Sequence, residues 1–301
     1  MFPPFEGAQV LDEVGGELGL LLFQRVRDVL LWSRRDGAEG DRLFGSKALF
    51  FSRMARKGGV PGREIESELT ILDEVVSKRG DADAEQIANA CAGIYHWALD
   101  HVLYATAAIF ARAAAVVRPN DPMFAIYAAR AERAQAAYER SKLWFQIAIA
   151  VARRLGKRSA CTVGLLGWAN LEIDRGNLPR ARALLIRAWR YARRHNLRHR
   201  GAEARHDLLA LAIDLEDFAD AEIHAKAAFQ LYGPRSRNIF ALAHDWALLW
   251  IKKGYFSALA VFCGKVALIA APLYRCHPKS GTITGARAPR CAMTDSPDQG
   301  E

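Results

Sequence analysis

Two His-Asp doublets carry the most chemical promise in this chain. His206-Asp207 lies in "EARHDLLALAIDLEDFADAE" and His244-Asp245 in "ALAHDWALLWIKKGYFSALA". An imidazole followed by a carboxylate on a helix can supply half of a divalent-metal site, provided that further ligands converge on the same ion and are oriented by neighbours. Such a site calls for another His upstream and an Asp well downstream. His195 and His199 precede the first doublet at short spacing, and after Asp245 the remaining aspartates are Asp295 and Asp298. The competing explanation is one structural position copied twice. The two histidines stand 38 residues apart, so the question is whether their surroundings repeat with the same step.

Other chemistry is thinly represented. "FGSK" at 44–47 lacks the upstream glycine of a phosphate loop, and "RKGGVPGRE" lacks dinucleotide-loop spacing. There is no H-E-x-x-H and no G-x-S-x-G. Cys91, Cys161, Cys263, Cys276 and Cys291 form no C-x-x-C pair and read as scattered reduced thiols. Nothing sets a nucleophile beside a base, so a non-enzyme without cofactor or metal is expected. The net charge of +9 permits a polyanionic partner without requiring one. Its one concentration, Arg180 to Arg205, reads as the wet side of a helix. Trp189 and Tyr191 interleave with these arginines, a pattern that could stack on bases, but no nucleic-acid motif accompanies them. The other tryptophans read as core.

No apolar run approaches the roughly 20 residues of a membrane span. The first residues, "MFPPFEGAQVLDE", lack a basic stretch followed by an apolar one, so no secretory leader is expected. A cytoplasmic protein is the reading, and the prevalence of Arg and Ala suggests a bacterial coding sequence.

The elements that carry the doublets are helices. From about residue 15 to 270 apolar residues recur at helical spacing, and strand-like alternation is almost absent. Asp83 with Gln86 resembles a capping box, Asp121-Pro122 an N-cap with proline in the first turn, and Gly176 a left-handed helix end. In "LPRARALLIRAWRYARRH" Leu178, Ala181, Leu185, Ala188 and Ala192 form one apolar stripe. Arg180, Arg187, Arg190 and Arg194 lie roughly opposite.

These helices repeat. Gly176, Glu216 and Gly254 mark equivalent turns, spaced by 40 and 38 residues. Ala181 and Ala188 follow the first turn as Ala221 and Ala228 follow the second, while Leu259 and Val266 break the pattern in the third. Each doublet begins ten residues before its turn, so repetition accounts for the histidine spacing without any metal. The turn, the aromatic after it (Phe218, Phe256), the paired alanines and a proline near the second helix's end (Pro119, Pro234) resemble the tetratricopeptide repeat family. The resemblance is clearest over 159–270 and extends back through 84–158, with periods longer than usual.

That resemblance implies an all-α, right-handed α-α superhelix, a TPR-like solenoid of about five helical pairs. The expected organisation is an N-terminal helical segment at 1–60, repeats at 63–271 and a disordered tail at 272–301. It further implies a non-catalytic scaffold or adaptor that holds a protein or peptide segment in a concave groove lined by first helices. Groove candidates are Asn170, Asp174, Glu203, His206, Asp214, His244 and Lys252. Alternatively each histidine ends an apolar stripe (His206, Ala210, Ile213; His244, Leu248, Ile251) and bonds between repeats. A sensing module of a bacterial regulatory system is a second functional class, and a metal-dependent His-Asp phosphohydrolase a remote third. The apolar helix "FSALAVFCGKVALIA" is expected to be covered, which allows self-association through the last repeat.

Overall fold

Helix follows helix because the sequence offers apolar stripes at a 3.6-residue period and little β-branched alternation. The computed structural model describes residues 8–34, 63–77, 83–233 and 236–255. Among these residues there are twelve α-helices, a 3-10 turn at Arg63–Ile65 and no strand. An N-terminal group comprises α1 (Ala8–Val14), α2 (Gly16–Arg34) and α3 (Glu66–Ser77). Four antiparallel hairpins follow: α4 (Ala84–Asp100) with α5 (Tyr104–Val117), α6 (Pro122–Ala134) with α7 (Tyr138–Arg154), α8 (Arg158–Asp174) with α9 (Leu178–Arg194), and α10 (Arg198–Asp214) with α11 (Phe218–Tyr232). A further helix, α12 (Ile239–Lys252), comes last among the described residues. The expected helix at 256–270, the tail, residues 35–60 and Pro234 lie outside the described residues. The described residues up to Leu249 belong to one compact unit.

Besides packing on their chain neighbours, α4, α6, α8 and α10 pack on one another in order. They form an inner layer, and α5, α7, α9 and α11 the outer one. This is the all-α superhelix of stacked hairpins that the repeats imply. First helices begin at residues 84, 122, 158, 198 and 239, steps of 38, 36, 40 and 41.

Seven helix ends among the described residues share one turn. The residues Val102, Ala136, Gly156, Gly176, Asn196, Glu216 and Gly254 all adopt left-handed backbone, with φ between 57° and 75°. Each donates its N–H to the carbonyl three residues back, and the next residue donates to the carbonyl five back, as in Gly176 to Ile173 and Asn177 to Glu172. The paired bonds satisfy the last carbonyls of one helix and reverse the chain within three residues. The other links differ: Asp121 Oδ1 accepts from Met123 N at 3.0 Å ahead of Pro122, and Gly233 ends α11 at φ 73°. Asp83 caps α4 through Glu85 N at 2.8 Å.

Small residues set the helix approach. Ala181, Ala188, Ala221 and Ala228 are fully buried, as the repeat pattern requires. A Cβ on Gly167 of α8 would stand 2.3 Å from Phe145 Cε1 of α7. The N-terminal group is anchored by Glu13, whose carboxylate accepts from Ala105 N (2.8 Å), Thr106 N (2.7 Å) and Thr106 Oγ1 (2.9 Å). Leu103 gives α5 no side-chain cap, so a carboxylate from α1 serves the exposed donors of that helix end.

Candidate functional site

The repeated turn supplies a ruler. Counting back 2, 6, 9 and 13 residues from each left-handed residue gives positions at helical spacing, hence one stripe per inner helix. On α4 these are Asp100, His96, Gly93 and Asn89; on α6, Ala134, Arg130, Tyr127 and Met123. On α8 they are Asp174, Asn170, Gly167 and Val163, and on α10 Asp214, Ala210, Asp207 and Glu203. Most other mid-helix positions of these four helices are buried, whereas the stripe stays at least partly exposed except at Val163, Gly167 and Glu203. On α12 the same count reaches Asp245 and Leu248, and Lys252 at the helix end.

Five of the seven groove candidates therefore fall on the stripe: Asn170, Asp174, Glu203, Asp214 and Lys252. His206 and His244 stand one position off it, and their environments diverge. The His206 side chain is 11% exposed and that of His244 77%. The second proposed apolar stripe is also open, since Leu248 and Ile251 are exposed. Asp174 pairs with Arg133 of α6 at 3.3 Å. Asn170 is half-buried, and Asp214 and Lys252 are exposed.

A polar network surrounds the first doublet. His206 Nε2 lies 3.0 Å from Asp245 Oδ2, and His244 Nδ1 lies 3.0 Å from Asp245 Oδ1. The inter-repeat bond anticipated for a copied histidine is thus present for His206, between α10 and α12. Burial raises the Asp245 carboxyl, but bonds from the two imidazoles outweigh it and hold the group below its usual range. Glu203 is buried and accepts from Arg200 Nη1 at 3.0 and 3.1 Å, with His199 Nε2 at 3.2 Å. Here too burial pushes the carboxyl up, and His199 and Arg200 bring it below normal. Arg200 Nε also donates to Ser159 Oγ at 3.0 Å, tying α10 to α8.

Asp207 behaves oppositely. Enclosure by protein pushes its carboxyl up to about 7; His206 and Arg133 oppose this, while the charges of Glu203 and Asp245 add to it. It is the stripe residue that the sequence reading passed over in favour of its histidine neighbour. Among the described residues no group of three His, Cys, Asp or Glu side chains is placed to hold a metal ion. The two histidines meet at one carboxylate.

Two further features lie behind the stripe. Glu132 is fully buried, with Arg112 Nη1 at 3.2 Å and Arg140 Nε at 2.9 Å. Forty residues on, Glu172 accepts from Trp168 Nε1 at 2.9 Å and Asn177 Nδ2 at 3.2 Å, with Arg180 Nε at 3.2 Å. Each Glu sits four residues before its turn, so the period itself marks them. The arginine-rich span is largely engaged within the chain. Arg182 pairs with Asp220 at 2.9 Å, and Arg198 caps the Gln230 and Leu231 carbonyls. The guanidinium groups of Arg193 and Arg205 lie 4.8 and 3.8 Å from the Trp189 ring centre, so that indole is already occupied by cations. Arg187, Arg190 and Arg194 are exposed, as expected.

Hairpins in series, one recurring turn and a layered packing order decide the class. The fold is a helical-repeat solenoid. The crystal structure of BtubC (BKLC) from P. vanneervenii is similar, with a TM-score of 0.58 and 12% identity over 76% of this chain and 98% of that one. The apo form of RapI is similar with a TM-score of 0.55 and 12% identity, covering 84% of this chain and 77% of its own. At that identity the likeness is one of fold. No family model and no curated protein matches the sequence, so the tetratricopeptide resemblance is carried as far as a helical-repeat architecture.

Proposed function

We propose that the chain is a non-catalytic scaffold or adaptor that holds a segment of another protein along its inner face. The supporting observation is the stripe. Most other mid-helix positions of the four inner helices are buried, yet each helix keeps at least two accessible positions in the same register, and the residues six and thirteen before the turn differ in every repeat. Turns, alanines and the two buried glutamates recur because they build the stack; on the stripe an aspartate recurs beside the turn (Asp100, Asp174, Asp214), and the positions further from the turn are where the repeats vary. Helices about 8–10 Å apart put the four rows across roughly 30 Å, the reach of about ten residues of extended chain. The surface is mixed, with Tyr127 stacked on Tyr95 at 5.0 Å near one end and carboxylates towards the other.

A photo-crosslinking residue at Asn170 or Tyr127 tests this when compared with the same residue at Arg187 on the outer face of α9. The expected outcome in the native cell is one protein captured from both inner positions and not from Arg187. Equal capture from all three, with unchanged melting, overturns the groove.

A further inference from the structure

The polar groups around Asp207 leave one carboxylate without a hydrogen-bond or ion-pair partner. Arg133 is engaged with Asp174 at 3.3 Å, Arg200 with Glu203 at 3.0 Å, and His206 with Asp245 at 3.0 Å. Asp207 takes part in no hydrogen bond or ion pair within the described structure, although it is surrounded by protein and reached by solvent only in part. Its position nine residues before Glu216 puts it on the accessible stripe of α10. The charges acting on it are Arg133 of α6, Glu203 and His206 of its own helix, and Asp245 of α12, and on α11 the Tyr232 hydroxyl is in turn raised by burial, by Glu203 and by the Asp207 carboxylate.

We propose that Asp207 receives a cationic side chain, Arg or Lys, of the protein segment held in the groove. This rests on the groove reading above and names what that groove selects. An enclosed anion without a partner is costly, and a neutral Asn of the same shape would avoid the cost. The carboxyl's elevation to about 7 expresses that cost in protonation. A guanidinium or ammonium entering from the open side supplies the missing direct partner, since Arg133 acts on Asp207 only through its charge while paired with Asp174. A metal ion is a poor alternative, because the neighbouring carboxylates and imidazoles do not group as ligands. A charge-assisted bond in such a place is expected to favour a basic residue over a neutral one about tenfold or more.

The test is selection of a displayed library of random 12-residue peptides on the immobilised full chain, in parallel with D207N and D207S chains of confirmed melting behaviour. The expected result is enrichment on the wild-type chain of sequences sharing an Arg or Lys, whose binding falls about tenfold when that residue becomes citrulline or norleucine. The same loss is expected on D207N and D207S for the unmodified peptides. Peptides that bind, compete with one another and are blocked by a Tyr127→Glu change, yet show no basic preference or the same preference on D207N, overturn the role of Asp207 and leave the groove standing. No enriched sequence on any chain, or binding untouched by Tyr127→Glu, overturns both.

Discussion

His206 of α10 and Asp245 of α12 are joined across a repeat boundary, Nε2 to Oδ2, at 3.0 Å. The aspartate of the second doublet thus serves the histidine of the first, and its other oxygen serves His244. For the first doublet this bond stitches α10 to α12. Asp245→Ala leaves a buried imidazole without its acceptor, so a loss of about 1–3 kcal/mol is expected, with faster amide exchange concentrated in α12. His244→Ala, on a side chain 77% exposed, should change stability by less than about 0.5 kcal/mol. Because the Asp245 carboxyl is depressed, its contribution is present above the ordinary carboxylate range and lost as pH falls through the lowered value. Equal effects of the two substitutions in denaturant melts would contradict this division.

Asp207 gives the opposite pH dependence. Its folded value of about 7 lies above the ordinary 3.8, so between those values the folded chain holds a proton that the unfolded chain has released. Stability from this group is therefore full below about pH 4 and declines as pH rises towards 7. Asp207→Asn removes that slope. The variant is expected to be more stable than the parent at pH 8, by roughly 2–4 kcal/mol at most, with the gain fading towards pH 4. Urea melts at pH 4, 6 and 8 measure it, and a gain that does not depend on pH would refute the assignment.

Val102 occupies the left-handed turn position at φ 62°, where the equivalent residue in another repeat is Gly176. A β-branched side chain there is strained by about 1–2 kcal/mol, and Val102 is 63% exposed, so little packing offsets the strain. Val102→Gly should raise the melting temperature by a few degrees, despite the entropy that glycine adds to the unfolded chain. Gly176→Ala should lower it by a similar amount. A destabilised Val102→Gly protein would mean that the valine makes contacts worth more than its backbone strain.

Much of this architecture is legible in the residues. The 40-residue step between Gly176 and Glu216, and the buried Ala181, Ala188, Ala221 and Ala228, are matters of local spacing, which a sequence displays directly. Val102 and Ala136 are less so, because tertiary packing imposes on them a conformation their side chains disfavour. At the candidate site the doublets were visible, but which member faces the groove was not. One residue of rotation separates Asp207 from His206, and only the packed helix fixes it. Glu132 and Glu172 could have been found by laying the repeats over each other, since Arg140 and Arg180 follow them at equal distance. Glu13 could not, because its partners at Ala105 and Thr106 are 92 and 93 residues away.

Those two glutamates also differ in a way that only their surroundings reveal. Each pairs with a half-exposed arginine eight residues on, Arg140 at 50% and Arg180 at 47%, but Glu132 also faces Arg112, whose side chain is 7% exposed. Removing Glu132 takes the carboxylate from a guanidinium that is almost wholly buried, and the expected cost of Glu132→Ala is about 3–5 kcal/mol. Removing Glu172 frees Arg180 to turn into solvent; what remains is the lost acceptor of Trp168 Nε1 and Asn177, about 1–3 kcal/mol. Pairing Glu132→Leu with Arg112→Leu should recover most of the first loss, since a well-filled apolar contact replaces the ion pair. Chemical denaturation of the three variants ranks them. If Glu172→Ala proved as damaging as Glu132→Ala, the buried Arg112 would not be what separates the two repeats.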